Sequence, residues 1–182
     1  MRYILSFVII SLLVTGTVSA QLPSKPYIGL FIDEARSSWC TEGVPLYLVQ
    51  MYIYFLPSER GIMCLEFVIE YPQNVIQSTI TPHYPSIECW IEGPWDEGVT
   101  VCFRDCVMDW TWSHCQDLWV TDLEYSVVRI LPHPAVGALQ VASCEPGFPV
   151  EPCTNFTQLY INGCGPTGVD EASWGAIKSM YQ

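Results

Sequence analysis

Extended geometry would set Trp110, Trp112 and His114 of the run Asp109-Trp110-Thr111-Trp112-Ser113-His114 on one face, because side chains alternate along a strand. Flat aromatic rings can stack on the apolar faces of sugars, and Asp109 and Gln116 beside them could bond the hydroxyls. Glycan binding at Asp109, Trp110, Trp112 and His114 is therefore the first chemical expectation. The competing one is that these rings, with Trp90, Trp95 and Trp119, form core or cover a sheet edge, since tryptophan is highly buried on average.

Cys102, Cys106, His114 and Cys115 could together hold zinc tetrahedrally, but their spacings differ from the common Cys-x2-Cys knuckle. Disulfides are the expectation instead. All nine cysteines, Cys40, Cys64, Cys89, Cys102, Cys106, Cys115, Cys144, Cys153 and Cys164, are candidates. The number is odd, so one thiol stays free or bridges to a second chain. Cys144 and Cys153 bracket a Pro-rich loop and would staple it; Cys164 would join one of the earlier cysteines.

Carboxylates give weaker signals. Asp105, Asp109 and Asp117 line the Trp-rich stretch, and Asp96-Glu97 and Asp170-Glu171 are adjacent pairs. Two facing acids can hydrolyse a glycosidic bond, so a glycosidase-like hydrolase using Asp105 and Asp109 is the alternative function. Loop carboxylates can also hold Ca²⁺, but no EF-hand pattern is present. Solvated surface is the default for all of them. No G-x-S-x-G elbow or phosphate-binding loop occurs, and no cofactor or metal site is read from the chain. Adjacent in a strand, His114 and Cys115 would point to opposite faces, which argues against a catalytic pair. Asn155-Phe156-Thr157 matches the glycosylation acceptor, which matters only in a eukaryotic host.

The elements that must position these groups begin with residues 1–20. Arg2, an uncharged apolar run over 4–14 and small residues at Val18-Ser19-Ala20 read as a secretory signal peptide. The run is too short for a bilayer span, which needs roughly 20 apolar residues. No second hydrophobic span follows, so the mature chain, 21–182, is expected to be one soluble domain, secreted, extracellular or periplasmic. Export puts the cysteines in an oxidising compartment, where each bridge would contribute roughly 2 to 4 kcal/mol. With nineteen Asp and Glu against seven Lys and Arg, the chain carries a net charge of −12. Such a surface repels nucleic-acid phosphates and anionic membranes. The partners that remain are glycans, cations or another extracellular protein.

Residues 62–71 (IMCLEFVIEY) alternate Leu65, Phe67 and Ile69 with Glu66 and Glu70, the clearest strand pattern in the chain. Residues 45–56 are apolar on both faces, as in a central strand. Further strands are predicted at 27–33, 75–81, 86–91, 98–104, 118–130 with a break near Asp122, 138–144 and 158–161, with a loop at 106–117. Eight or nine strands separated by Pro and Gly turns predict an all-β, antiparallel β-sandwich, immunoglobulin-like or jelly-roll-like. A short C-terminal helix is expected at 174–181, with Trp174, Ile177 and Tyr181 on one face and Asp170 or Ser173 as cap.

The run Leu65-Glu66-Phe67-Val68-Ile69-Glu70-Tyr71-Pro72-Gln73-Asn74-Val75 resembles the early strands of cohesin-like and related immunoglobulin-like modules of secreted bacterial proteins. There an alternating strand ends in Tyr-Pro or Tyr-Asp-Pro before the next strand opens. Residues 98–103 and 118–128 resemble later paired strands of such modules, so the likeness covers 62–130. The nine cysteines depart from it. The resemblance implies a nine-stranded jelly-roll-like sandwich used for binding and assigns no functional residue. The leading functional expectation is a secreted, non-catalytic binding or structural sandwich. A third possibility is a subunit of an extracellular assembly, disulfide-linked as a dimer through the odd cysteine.

Overall fold

The computed structural model describes residues 24–42, 46–82 and 89–164, the side chains of Pro82, Cys89 and Trp90 excepted. The expected leader at 1–20 and helix at 174–181 lie outside the described residues. Within them the chain is all-β, with twelve strands in two sheets. These are β1 (Tyr27–Phe31), β2 (Tyr47–Leu56), β3 (Ile62–Glu70), β4 (Val75–Pro82), β5 (Cys89–Glu92), β6 (Val99–Val107), β7 (Thr111–Val120), β8 (Ser126–Pro132), β9 (Gln140–Ala142), β10 (Val150–Pro152), β11 (Asn155–Thr157) and β12 (Leu159–Ile161). The first sheet runs β11-β1-β2-β7-β4; the second runs β10-β9-β3-β6-β5, with β8 joining β3 to β12. All pairings are antiparallel except β1 with β11.

The alternation in sequence becomes the two faces of each sheet. Ile28, Leu30, Met51, Ile53, Phe55, Leu118 and Val120 point inward from the first sheet against Leu65, Phe67, Ile69, Val101, Phe103, Val128 and Ile130 of the second. Phe55 sits at the centre, edge-on to Phe67 at 6.1 Å and Phe103 at 5.9 Å. Trp95 closes this core from the β5–β6 turn, where its carbonyl accepts the Ile69 amide at 2.7 Å.

The expected sandwich is present, with three differences in its strands. The predicted loop at 106–117 is mostly strand: β6 reaches Val107 and β7 starts at Thr111. The strand predicted at 118–130 is broken at the expected place, near Asp122, but its two parts, the end of β7 and most of β8, lie on opposite sheets. The strand count rises from nine to twelve because that segment divides in two and because β10 and β11 are three-residue pieces too short to show a period, whereas β12 is the strand predicted at 158–161.

Candidate functional site

The outer face of the first sheet carries the aromatic residues singled out in the sequence. Tyr27, Phe31, Tyr52, Tyr54 and Leu56 form a second, smaller buried layer there, with Trp39, Trp110 and Trp112 half-buried against it. The rings meet edge to face: Tyr27 with Trp110 at 5.5 Å, Tyr52 with Trp112 at 5.2 Å and Phe31 with Tyr54 at 5.7 Å. The segment between β1 and β2 folds over this layer, where Asp33 accepts the Ser37 and Ser38 amides at 3.0 and 2.8 Å. It lays the Arg36 guanidinium over the rings of Trp110 at 4.7 Å and Tyr54 at 5.4 Å. The Tyr54 hydroxyl donates to the Glu34 carbonyl at 2.6 Å. Trp110 and Trp112 are thus packed at their edges, with Arg36 on the Trp110 ring.

His114 departs from the predicted arrangement. Ile53 pairs with His114 while Tyr54 pairs with Trp112, so Ser113 is an extra residue in a β-bulge. One extra residue reverses the faces beyond it. Trp112 stays on the outer face, whereas His114 turns into the core, 5.4 Å from Trp95. Burial lowers its pKa from 6.5 to about 4, so the imidazole is neutral at pH 7. Asp109 is exposed and accepts the Trp110 amide at 2.7 Å. Asp105 is also exposed, near the end of β6.

Among the described residues six cysteines are bridged: Cys40–Cys164, Cys64–Cys102 and Cys106–Cys144. One expectation needs correction. Cys144 pairs with Cys106 and not with Cys153, because the loop after β9 folds back to the end of β6. The zinc set Cys102, Cys106, His114 and Cys115 does not assemble, since Cys102 and Cys106 are in separate bridges and His114 and Cys115 face opposite ways. Cys115 and Cys153 are free and buried. Burial raises their thiols to about 11 and about 12. Buried thiols cannot reach a second chain, so neither supplies a dimer bridge from this state; the side chain of Cys89 lies outside the described residues.

The outer face of the second sheet carries what the sequence did not reveal. Its register sets Val150 opposite Ala142, Ala142 opposite Cys64 and Cys64 opposite Cys102. This apolar row therefore crosses four strands and has the Cys64–Cys102 disulfide as its floor. Val150 is 57% exposed, and Phe148 at the entry to β10 is also 57% exposed. Phe148 adopts φ +49°, a left-handed conformation rarely taken by bulky residues. The turn holds it there: its amide donates to the Glu145 carbonyl at 2.8 Å, and the neighbouring Cys144 is bridged to Cys106. Exposed Met108 approaches the same bridge. Polar groups border the row. Gln140 donates to Glu66 at 2.7 Å, and Arg129 donates to Glu70 at 2.8 Å.

Known structures share this architecture. The cohesin module of a Clostridium perfringens family 33 glycoside hydrolase aligns with a TM-score of 0.53 and 10% identity, over 76% of this chain and 98% of the module. The sixth cohesin of Acetivibrio cellulolyticus scaffoldin B, solved in complex with a dockerin, aligns with a TM-score of 0.53 and 13% identity, over 76% and 98%. A non-cellulosomal cohesin of the archaeon Archaeoglobus fulgidus gives 0.50 and 9%, over 83% and 97%. No family model and no curated protein matches the sequence. The fold is that of a cohesin-like β-sandwich, as the resemblance over residues 62–130 implied.

Proposed function

We propose that this chain is a non-catalytic protein-binding module acting outside the cytoplasm, and that its partner docks on the outer face of the second sheet. The row Val150–Ala142–Cys64–Cys102, with Phe148 and Met108 at its end, carries this reading. Protein interfaces have an apolar centre and a polar rim, and Glu66, Gln140, Glu70 and Arg129 supply such a rim. Phe148 sits on a turn held by a disulfide, so little freedom is lost when a partner covers it. The fold is shared with cohesins, one of them solved in complex with a dockerin. The disulfides and the signal-like residues 1–20 support an extracellular site of action. With a net charge of −12, the fitting partner is another extracellular protein whose apolar patch is ringed by cations.

The test uses the immobilised protein and its Val150→Glu and Phe148→Asp variants, challenged with the secreted proteins of its own organism. A saturable binder is expected whose affinity falls about 30-fold in each variant, the effect of losing an anchor worth about 2 kcal/mol. A binder held equally by all three proteins, or no binder, rejects this surface.

Glycan stacking at Trp110 and Trp112 is a second reading; both rings are half-buried on the outer face, with the Arg36 guanidinium over Trp110, so Trp112 is the ring to test. It predicts a tryptophan fluorescence shift with a polysaccharide that Trp112→Ala abolishes; the absence of any shift removes it.

A further inference from the structure

Arg36 is fixed on the aromatic layer by a backbone that its side chain does not favour. It takes φ +59°, the left-handed region seldom adopted by residues other than glycine, asparagine and aspartate. Strain of this kind gathers at ligand clamps. The turn around it is tied to itself and to the sheet. The Arg36 amide donates to the Asp33 carbonyl at 3.2 Å, and the Asp33 carboxylate accepts the Ser37 hydroxyl at 3.1 Å besides the Ser37 and Ser38 amides. The Glu34 carbonyl accepts the Tyr54 hydroxyl, which pins the turn above β2. The guanidinium is thereby laid over Trp110 and Tyr54.

This guanidinium has rings beneath it and no anion beside it. Arg60 lies 3.6 and 3.7 Å from Glu145 and Glu151, and Arg129 lies 2.8 Å from Glu70. Arg36 has no carboxylate at such a distance among the described residues, in a chain with nineteen Asp and Glu against seven Lys and Arg. Asp33 is taken up by its own turn, and the Glu34 side chain is exposed. The Arg36 Nε is buried without a hydrogen-bond partner, whereas its terminal nitrogens stay open to solvent. The aromatic shelf removes water from one side of the guanidinium and fixes its plane. Its two terminal N–H groups then meet a planar carboxylate as a fork, with little freedom to lose.

Trp112 stands two residues from Trp110 on the same outer face, about 7 Å along the strand, and is half-buried. We propose that Arg36 and Trp112 form a site for an acidic sugar, whose carboxylate meets the Arg36 fork while its ring lies on Trp112. This rests on the glycan reading of Trp112 and adds to it the charge of the ligand. A net charge of −12 repels a polyanion, so the fitting ligand is a single uronate within an otherwise neutral glycan.

The test applies the full chain to an array of neutral oligosaccharides, each printed beside the same oligosaccharide with one hexose replaced by its uronate, and of acidic peptides. The uronate member of at least one pair is expected to bind about tenfold more tightly than its parent, and raised salt should shrink the difference. Arg36→Gln should bring the two members level while the parent sugar still binds, which also shows that the variant is folded. Arg36→Lys keeps the charge but lacks the fork, so it should recover little of the preference. Uronate and parent bound alike by the wild type, or a preference that survives Arg36→Gln, overturns this inference and leaves the glycan reading standing. Retention of no sugar at all removes both. Acidic peptides held through Arg36 with no uronate bound would put a protein carboxylate on the fork and overturn the sugar.

Discussion

His114 shows what one buried side chain does to the pH response. Above about pH 6.5 its imidazole is neutral in both folded and unfolded chains. Below that the unfolded chain takes a proton that the folded chain refuses until about pH 4. Stability is therefore lost as pH falls from 6.5 toward 4, by about 3 kcal/mol from this residue. Denaturant titrations across that window should show the loss, and His114→Gln should flatten it; an unchanged slope would mean that other groups control acid unfolding. Phe148 makes a different prediction. Phe148→Gly removes the left-handed penalty but adds backbone freedom to the unfolded chain, so stability should change by no more than about 1 kcal/mol while partner binding falls. At the two buried thiols, Cys115 and Cys153 should resist alkylation at pH 8 in the folded protein and react once it is denatured. Rapid native labelling at either position, located by peptide mapping, would contradict their burial.

Among the elements, β7 was the hardest to read. Its buried face carries Thr111, His114 and Gln116, polar residues that read as loop. Gln116 is tolerated because its side-chain oxygen accepts the Tyr71 hydroxyl, a pairing across 45 residues that no local pattern displays. The Ser113 bulge then broke the alternation that would have set His114 beside Trp112. By contrast, β3 was legible because its period of two survives intact. Bulges and buried polar partners are tertiary choices, whereas an amphipathic strand declares itself locally. Deleting Ser113 should leave a regular ladder in which Trp112 and His114, now neighbours, keep their opposite faces; a melting temperature within a few degrees of wild type is expected, and a large fall would show that the bulge itself is needed to seat β7.

At the scale of the molecule, the Cys40–Cys164 bridge joins the segment after β1 in the first sheet to the end of β12 in the second. It closes a loop with a sequence separation of 124, the longest of the three bridges. Constraint of the unfolded chain by so long a loop is worth about 4 to 5 kcal/mol in the chain-entropy description. The double variant Cys40→Ala/Cys164→Ala should therefore lose more stability than Cys64→Ala/Cys102→Ala, whose separation is 38. Equal losses in chemical denaturation would show that local packing outweighs loop length.

From the sequence alone came the all-β class, the two-faced strands, the cohesin-like likeness and the expectation that cysteines would cross-link the chain. The class and the two-faced strands follow from composition and from periods that repeat over a few residues, which local sterics and hydrophobic burial enforce wherever the chain goes; the likeness rests on its resemblance to a known pattern over residues 62–130. Which cysteines meet, which way His114 turns and which apolar residues line up across strands were decided only by tertiary structure. Each depends on register between segments tens of residues apart, and a shift of a single residue reverses the face of every side chain in a strand. The row Val150–Ala142–Cys64–Cys102 exists only in that register, so no segment carries it by itself.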